Sequence, residues 1–97
     1  MLTTSTNERN TRIVFEGRLD TVTCMEIESE VHDAVTNADQ CIEFDLGAVD
    51  FVSSSFLRLC VFAYKKAGGG QFQVVNVNPT IKRVFKIAGL DVMVCED

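Results

Sequence analysis

The chain has 97 residues, 46% of them hydrophobic and 24% charged, with a single proline; this suits one compact domain over residues 1–97 with its own core and leaves little room for a second module. Nine Lys and Arg against fourteen Asp and Glu give a net charge of −5, so the surface field opposes phosphate backbones and acidic membranes and argues against nucleic acid as a partner. The opening MLTTSTNERN lacks a basic start followed by an apolar core, and no apolar run approaches the ~20 residues that cross a bilayer, which argues against membrane insertion and for a cytoplasmic protein complete in itself.

Residues 2 to 7, rich in threonine, suit a strand that the polar NERN could turn back on its successor. TRIVFEGRL, Thr11 to Leu19, alternates Ile13, Phe15 and Leu19 with polar positions, the period of a strand with one solvated face. From Thr21 the period changes. Cys24, Ile27, Val31, Ala34 or Val35, and Ala38 mark one stripe of a helix, with Asp20 or Thr21 as its cap. Glu26, Ser29, Glu30, His32 and Asp33 fall on the other side, so the single histidine, His32, reads as a solvated helix residue.

CIEFDL, Cys41 to Leu46, predicts a further strand, leading through GAVDFV to Ser53, Ser54 and Ser55. Leu57, Cys60, Val61, Tyr64 and Ala67 form the next helical stripe, and Gly68, Gly69 and Gly70 end that helix. These glycines follow a helix instead of opening one, so they are not a phosphate-binding loop. After the strand QFQVVNV comes NPTIKRVFKIAGLD, with Asn78 as N-cap, Pro79 first in the helix, Ile81, Val84, Phe85 and Ala88 inward, and Gly89 beyond its end. DVMVC predicts a last strand. The fold class is α/β: a mostly parallel, mixed sheet of about five strands with three or four helices, its first strand antiparallel at an edge.

Cys24, Cys41, Cys60 and Cys95 are scattered, with no CxxC pair and no histidine cluster, so no metal site is expected and all four read as reduced, buried apolar residues. No cofactor is implied either. Asp45 and Asp50 are a pair of carboxylates without a second catalytic element beside them. The three serines sit where a strand passes into a helix, a junction that exposes backbone N–H groups at the positive end of the helix dipole. Capping accounts for one of them. The flanking Val52 and Phe56 do not make a G-x-S-x-G elbow, and no base accompanies the serines, which argues against an enzyme. A phosphate acceptor is the remaining role, since phosphorylation adds about −1.5 to −2 charge at one surface point.

FDLGAVDFVSSSFLRL resembles the signature of STAS domains of the anti-sigma factor antagonist type. EGRLD is similar to that family's Gly-x-Leu-Asp element, and NPTIKRVFKIAGLD to its helix-opening Pro, Val-Phe pair and Gly-Leu ending. The resemblance implies the STAS fold and a phosphoacceptor at Ser54, with Ser53 and Ser55 as alternates. Phe56 departs from the pattern, which usually has glycine there, a residue that lets a partner's backbone come close. The resemblance also implies partner switching: the unphosphorylated protein binds an anti-sigma factor serine kinase, phosphorylation releases it, and a phosphatase resets it. Asp20, Asp50, Ser53, Ser55, Phe56, Arg58 and Phe62 make up the implied docking surface. Phe56, Arg58 and Phe62 face a partner only if the second helix exposes that side; broad burial of the helix is the other reading. A cytosolic subunit of a lipid-transport ABC complex and an unphosphorylated interaction module are the alternative functions, and homodimerisation is left open.

Overall fold

The computed structural model describes residues 2–6, 10–38, 41–68 and 71–95, with side chains from Thr11 onward. Strand β1 (Leu2–Thr6) runs antiparallel to β2 (Asn10–Leu19), with Leu2 opposite Phe15 and Thr6 opposite Thr11. The proposed turn at NERN falls mostly on residues 7–9, outside those described. Strands β2, β3 (Cys41–Val52) and β4 (Phe72–Val75) are mutually parallel, in the order β1-β2-β3-β4. Helix α1 (Thr21–Asn37) joins β2 to β3, and α2 (Ser54–Lys66) joins β3 to β4. Helix α3 (Pro79–Ile87) follows, capped as its sequence predicts: Asn78 Oδ1 accepts from the Ile81 N–H at 2.9 Å, with Pro79 at the first helical position.

The sheet therefore has four strands among the described residues, three of them parallel, in place of about five. DVMVC is not a strand. Asp91–Met93 form one 3-10 turn that sends Met93 into the core, so only the end of the segment reaches the sheet. There Val94 makes an isolated parallel bridge to Val74, and the Cys95 N–H donates to the Val74 carbonyl at 2.8 Å. Gly68 follows the end of α2 at φ 79°, in the left-handed region that favours glycine, while Gly69 and Gly70 lie outside the described residues.

Ile13, Phe15 and Leu19 of β2, Ile42, Phe44 and Leu46 of β3, and Val74 of β4 turn one sheet face into the core. Helix α1 adds Cys24, Ile27, Val31 and Val35, the stripe its spacing predicts, and α3 adds Ile81 and Phe85. The opposite sheet face carries a polar network. Arg12 forks between two carboxylates, 3.0 Å from Glu43 Oε1 and 3.2 Å from Asp45 Oδ2, and Gln73 Nε2 donates to Glu43 Oε2 at 2.7 Å. Asp45 is thus committed to Arg12, whereas Asp50 is exposed, so the two are not a carboxylate pair.

Only Cys24 and Cys60 are buried; Cys41 is half-buried where β3 starts, and Cys95 is exposed beside β4, after the 3-10 turn, which corrects the expectation of four core thiols. Burial raises the pKa of both inner thiols, most strongly that of Cys60, and holds them as unreactive thiols. A thiol-alkylating reagent under native conditions is expected to label Cys95 and Cys41, and to reach Cys24 and Cys60 only with unfolding; peptide mass mapping reads the order.

Candidate functional site

Strands β2 and β3 end side by side, Leu19 opposite Val52, and each turns at once into a helix. The two helix N-termini are therefore neighbours. Asp20 caps α1, its Oδ1 accepting from the Thr23 N–H at 2.9 Å. Ser53 caps α2 from an extended backbone, its Oγ accepting from the Phe56 N–H at 3.4 Å. The two turns are tied together: the Ser53 N–H donates to the Leu19 carbonyl at 3.0 Å, and Cys24 Sγ lies 3.8 Å from Ser53 Oγ.

This geometry separates the three serines. Ser53 is occupied with capping, and Ser55 is half-buried against α1. Ser54 is exposed at the first helical position, and its hydroxyl forms no hydrogen bond among the described residues. No histidine or carboxylate hydrogen-bonds any of the three among the described residues.

The Thr23 backbone N–H, then the Thr23 hydroxyl, and more weakly the charge of Arg18, hold the Asp20 carboxyl below its ordinary value. A carboxyl depressed on folding stabilises the protein above its unfolded pKa, and that contribution disappears as pH falls through the folded value. Asp20→Asn keeps a good cap without the titration. Helicity of the wild type is therefore expected to fall more steeply below about pH 4 than that of Asp20→Asn, as read by circular dichroism.

The burial of α2 differs from its expected stripe. Phe56, Leu59, Cys60 and Ala63 are buried, whereas Leu57, Val61 and Tyr64 are half-buried at the margin. Phe56, expected at the docking surface, is fully enclosed, 5.1 Å from Phe15 edge-on and 6.0 Å from Phe44. With Ser53 as cap, the third residue of the first turn points down onto the sheet. The aromatic at the position where the resemblance leads one to expect glycine is thus a core residue and adds no bulk to the surface around Ser54.

Helices α1 and α2 pack on each other and leave a groove of about 370 Å³ beside Ser55, with Met25, Leu59 and Phe62 as apolar lining and Glu28 and Arg58 as charged lining. His32 is half-buried, not solvated: its ring stacks on Phe62 at 4.1 Å and 16°. Asp20, Ser53, Ser55, Arg58 and Phe62 thus lie around the two helix N-termini and the groove. Asp50 is exposed on β3, before the serine turn, and does not line the groove.

Sequence reading missed Phe51. Two register shifts against β2 break the alternation of β3, turning Val49 and Val52 inward and Phe51 outward, where the Arg18 guanidinium covers its ring at 4.2 Å. The expected strand ended at Leu46, whereas β3 continues through GAVDFV to Val52, and it is this extension that carries Phe51.

Among the described residues no group of His, Cys, Asp and Glu could hold a metal ion, and no helix is long and apolar enough to cross a membrane. Residues 2–96 match the STAS domain family. The chain belongs to the STAS family. BtrV of Bordetella bronchiseptica, assigned as an anti-sigma factor antagonist, is 26% identical over 76 residues, covering 76% of this chain. The match takes in 66% of BtrV, slightly under two thirds of its length. An anti-sigma factor antagonist from Mycobacterium paratuberculosis has the same fold, with a TM-score of 0.83 at 26% identity over 94% of this chain and 79% of that one. The antagonist SpoIIAA in its unphosphorylated form superposes with a TM-score of 0.80 over 100% of this chain and 88% of that one, at 18% identity, a likeness of fold. In the STAS fold the serine turn of this chain is the junction between its second parallel strand and the helix that follows.

Proposed function

We propose that this STAS protein is an anti-sigma factor antagonist, which binds an anti-sigma factor with serine-kinase activity and is released when that kinase phosphorylates Ser54. The observation that carries the reading is the division of labour among the serines: Ser53 is consumed as a cap, and Ser54 presents an unbonded hydroxyl at the surface. The antagonist relatives support it, as does the existence of SpoIIAA in a phosphorylated form.

The physics of release follows from position. A phosphate on the first residue of α2 lies at the positive end of the helix dipole, so the fold tolerates it. A partner seated over the same helix end meets a hydrated dianion that it must desolvate or leave. The α1–α2 groove beside Ser55 suits an apolar partner side chain, with Arg58 available to a partner carboxylate. A phosphatase then resets the cycle.

The test is co-purification from the native host followed by addition of ATP. Association with an ATP-binding serine kinase that is lost with ATP, and retained with ATP by Ser54→Ala, is the expected result. A stable complex with a transporter ATPase, unchanged by phosphorylation, would instead support the lipid-transport role.

A further inference from the structure

Four large apolar side chains project from the surface well beyond the others: Val22 (65% exposed), Met25 (72%), Ile87 (79%) and Val92 (71%). They fall into two patches. Val22 lies on the outward side of α1 at helical spacing with Glu26, Ser29 and Asp33, and Met25 stands at the margin of that side, where it also lines the α1–α2 groove. Ile87 shares the outward side of α3 with Arg83 and Lys86, and Val92 stands in the 3-10 turn that packs on that helix.

The two helices carry charge of opposite sign, and the one acid within the second patch is Asp91, exposed beside Val92. Helix α1 contains no Lys or Arg, and α3 contains no Asp or Glu. Glu26, Asp33, Arg83 and Lys86 are exposed and form no ion pair among the described residues. Each patch therefore has an apolar centre with a charged margin, predominantly acidic on α1 and basic on α3.

We infer that the occupant of each patch is a second copy of this chain, with the Val22/Met25 face of α1 in one copy docking on the Arg83/Lys86/Ile87/Val92 face of its neighbour. The two surfaces differ, so the contact is head-to-tail and leaves one free patch at each end of a dimer. Nine residues of α3 span only about 13 Å, so the contact is smaller than a stable interface and the association is weak and salt-sensitive. An unrelated acidic partner or an anionic lipid surface would satisfy α3 alone. A second copy satisfies both patches at once, which is why it is favoured.

Sedimentation velocity across a concentration series at low and high salt tests this, with two variants confirmed as folded by circular dichroism. Met25→Lys/Glu26→Lys removes the α1 patch, and Arg83→Glu/Lys86→Glu removes the α3 patch. The wild type is expected to show a mass that rises with concentration at low salt and returns to monomer at high salt. Each variant alone is expected to remain monomeric, and an equimolar mixture to form a 1:1 dimer that grows no further, through the single intact pair of patches. A wild type monomeric throughout, including one that instead binds anionic vesicles through α3, would overturn the inference. So would association of the wild type with no complementation in the mixture.

Discussion

Phe56→Ala is expected to lower the free energy of unfolding by about 3–5 kcal/mol, the usual cost of deleting a buried aromatic ring. Phe56 is enclosed at the meeting point of α2 and the sheet, against Phe15 and Phe44, and Phe44 in turn meets Phe72 at 4.8 Å. Its loss opens a cavity among three strands and a helix that cannot all move inward together. Phe56→Gly, which places there the glycine expected from the sequence resemblance, costs more, because glycine within a helix adds about 1 kcal/mol. Phe56→Leu retains part of the volume and is expected to fall between the wild type and Phe56→Ala in urea denaturation. A stability within about 0.5 kcal/mol of wild type for Phe56→Ala would mean that this side chain is not where the structure puts it.

Ser54→Glu is expected to weaken binding to the proposed partner, an anti-sigma factor with serine-kinase activity, about tenfold or more, while Ser54→Ala binds as the wild type does. One carboxylate desolvated or opposed at a docking surface costs on the order of 1.4 kcal/mol or more, which is a factor of ten in the dissociation constant. Phosphoserine, with about twice the charge, weakens binding further. Both substitutions leave the melting transition nearly unchanged, since Ser54 makes no hydrogen bond among the described residues and an acid in the first turn suits the helix dipole. Ser53→Ala behaves in the opposite way: it removes the cap and costs about 1 kcal/mol of stability. Titration calorimetry beside thermal melts separates the two serines. Equal affinity of Ser54→Ala and Ser54→Glu for the partner would remove the switch.

Much of the fold was legible because the chain punctuates its elements. Asn78 is found as the N-cap its sequence predicts, Asp20 is the one of Asp20 and Thr21 that caps α1, and α1 buries the stripe that its three-and-four spacing marks. The phase of α2 was not legible. FLRLCVFAY is apolar almost all the way round, so Leu57, Cys60, Val61 and Tyr64 fit helical spacing as well as Phe56, Leu59, Cys60 and Ala63 do. What selects between them is the strand-end register, which fixes Ser53 as cap and aims Phe56 inward. DVMVC failed for a related reason. Its alternation suits a strand, but Met93 is drawn into the core through a 3-10 turn and leaves one bridge at Val94. The three serines do lie where a strand passes into a helix, as their sequence context indicates. The cap assigned to Ser53 and the stacking of His32 on Phe62 required the backbone, because both depend on how α1 and α2 pack together.

The most direct measurement is phosphosite mapping by mass spectrometry on the protein isolated from its native host during growth, starvation and stress, with Ser54→Ala as control. Phosphate confined to Ser54, with an occupancy that changes with condition, is the expected result. Phosphate on Ser53 or Ser55 with Ser54 unmodified, or no phosphate in any condition, would contradict the switch.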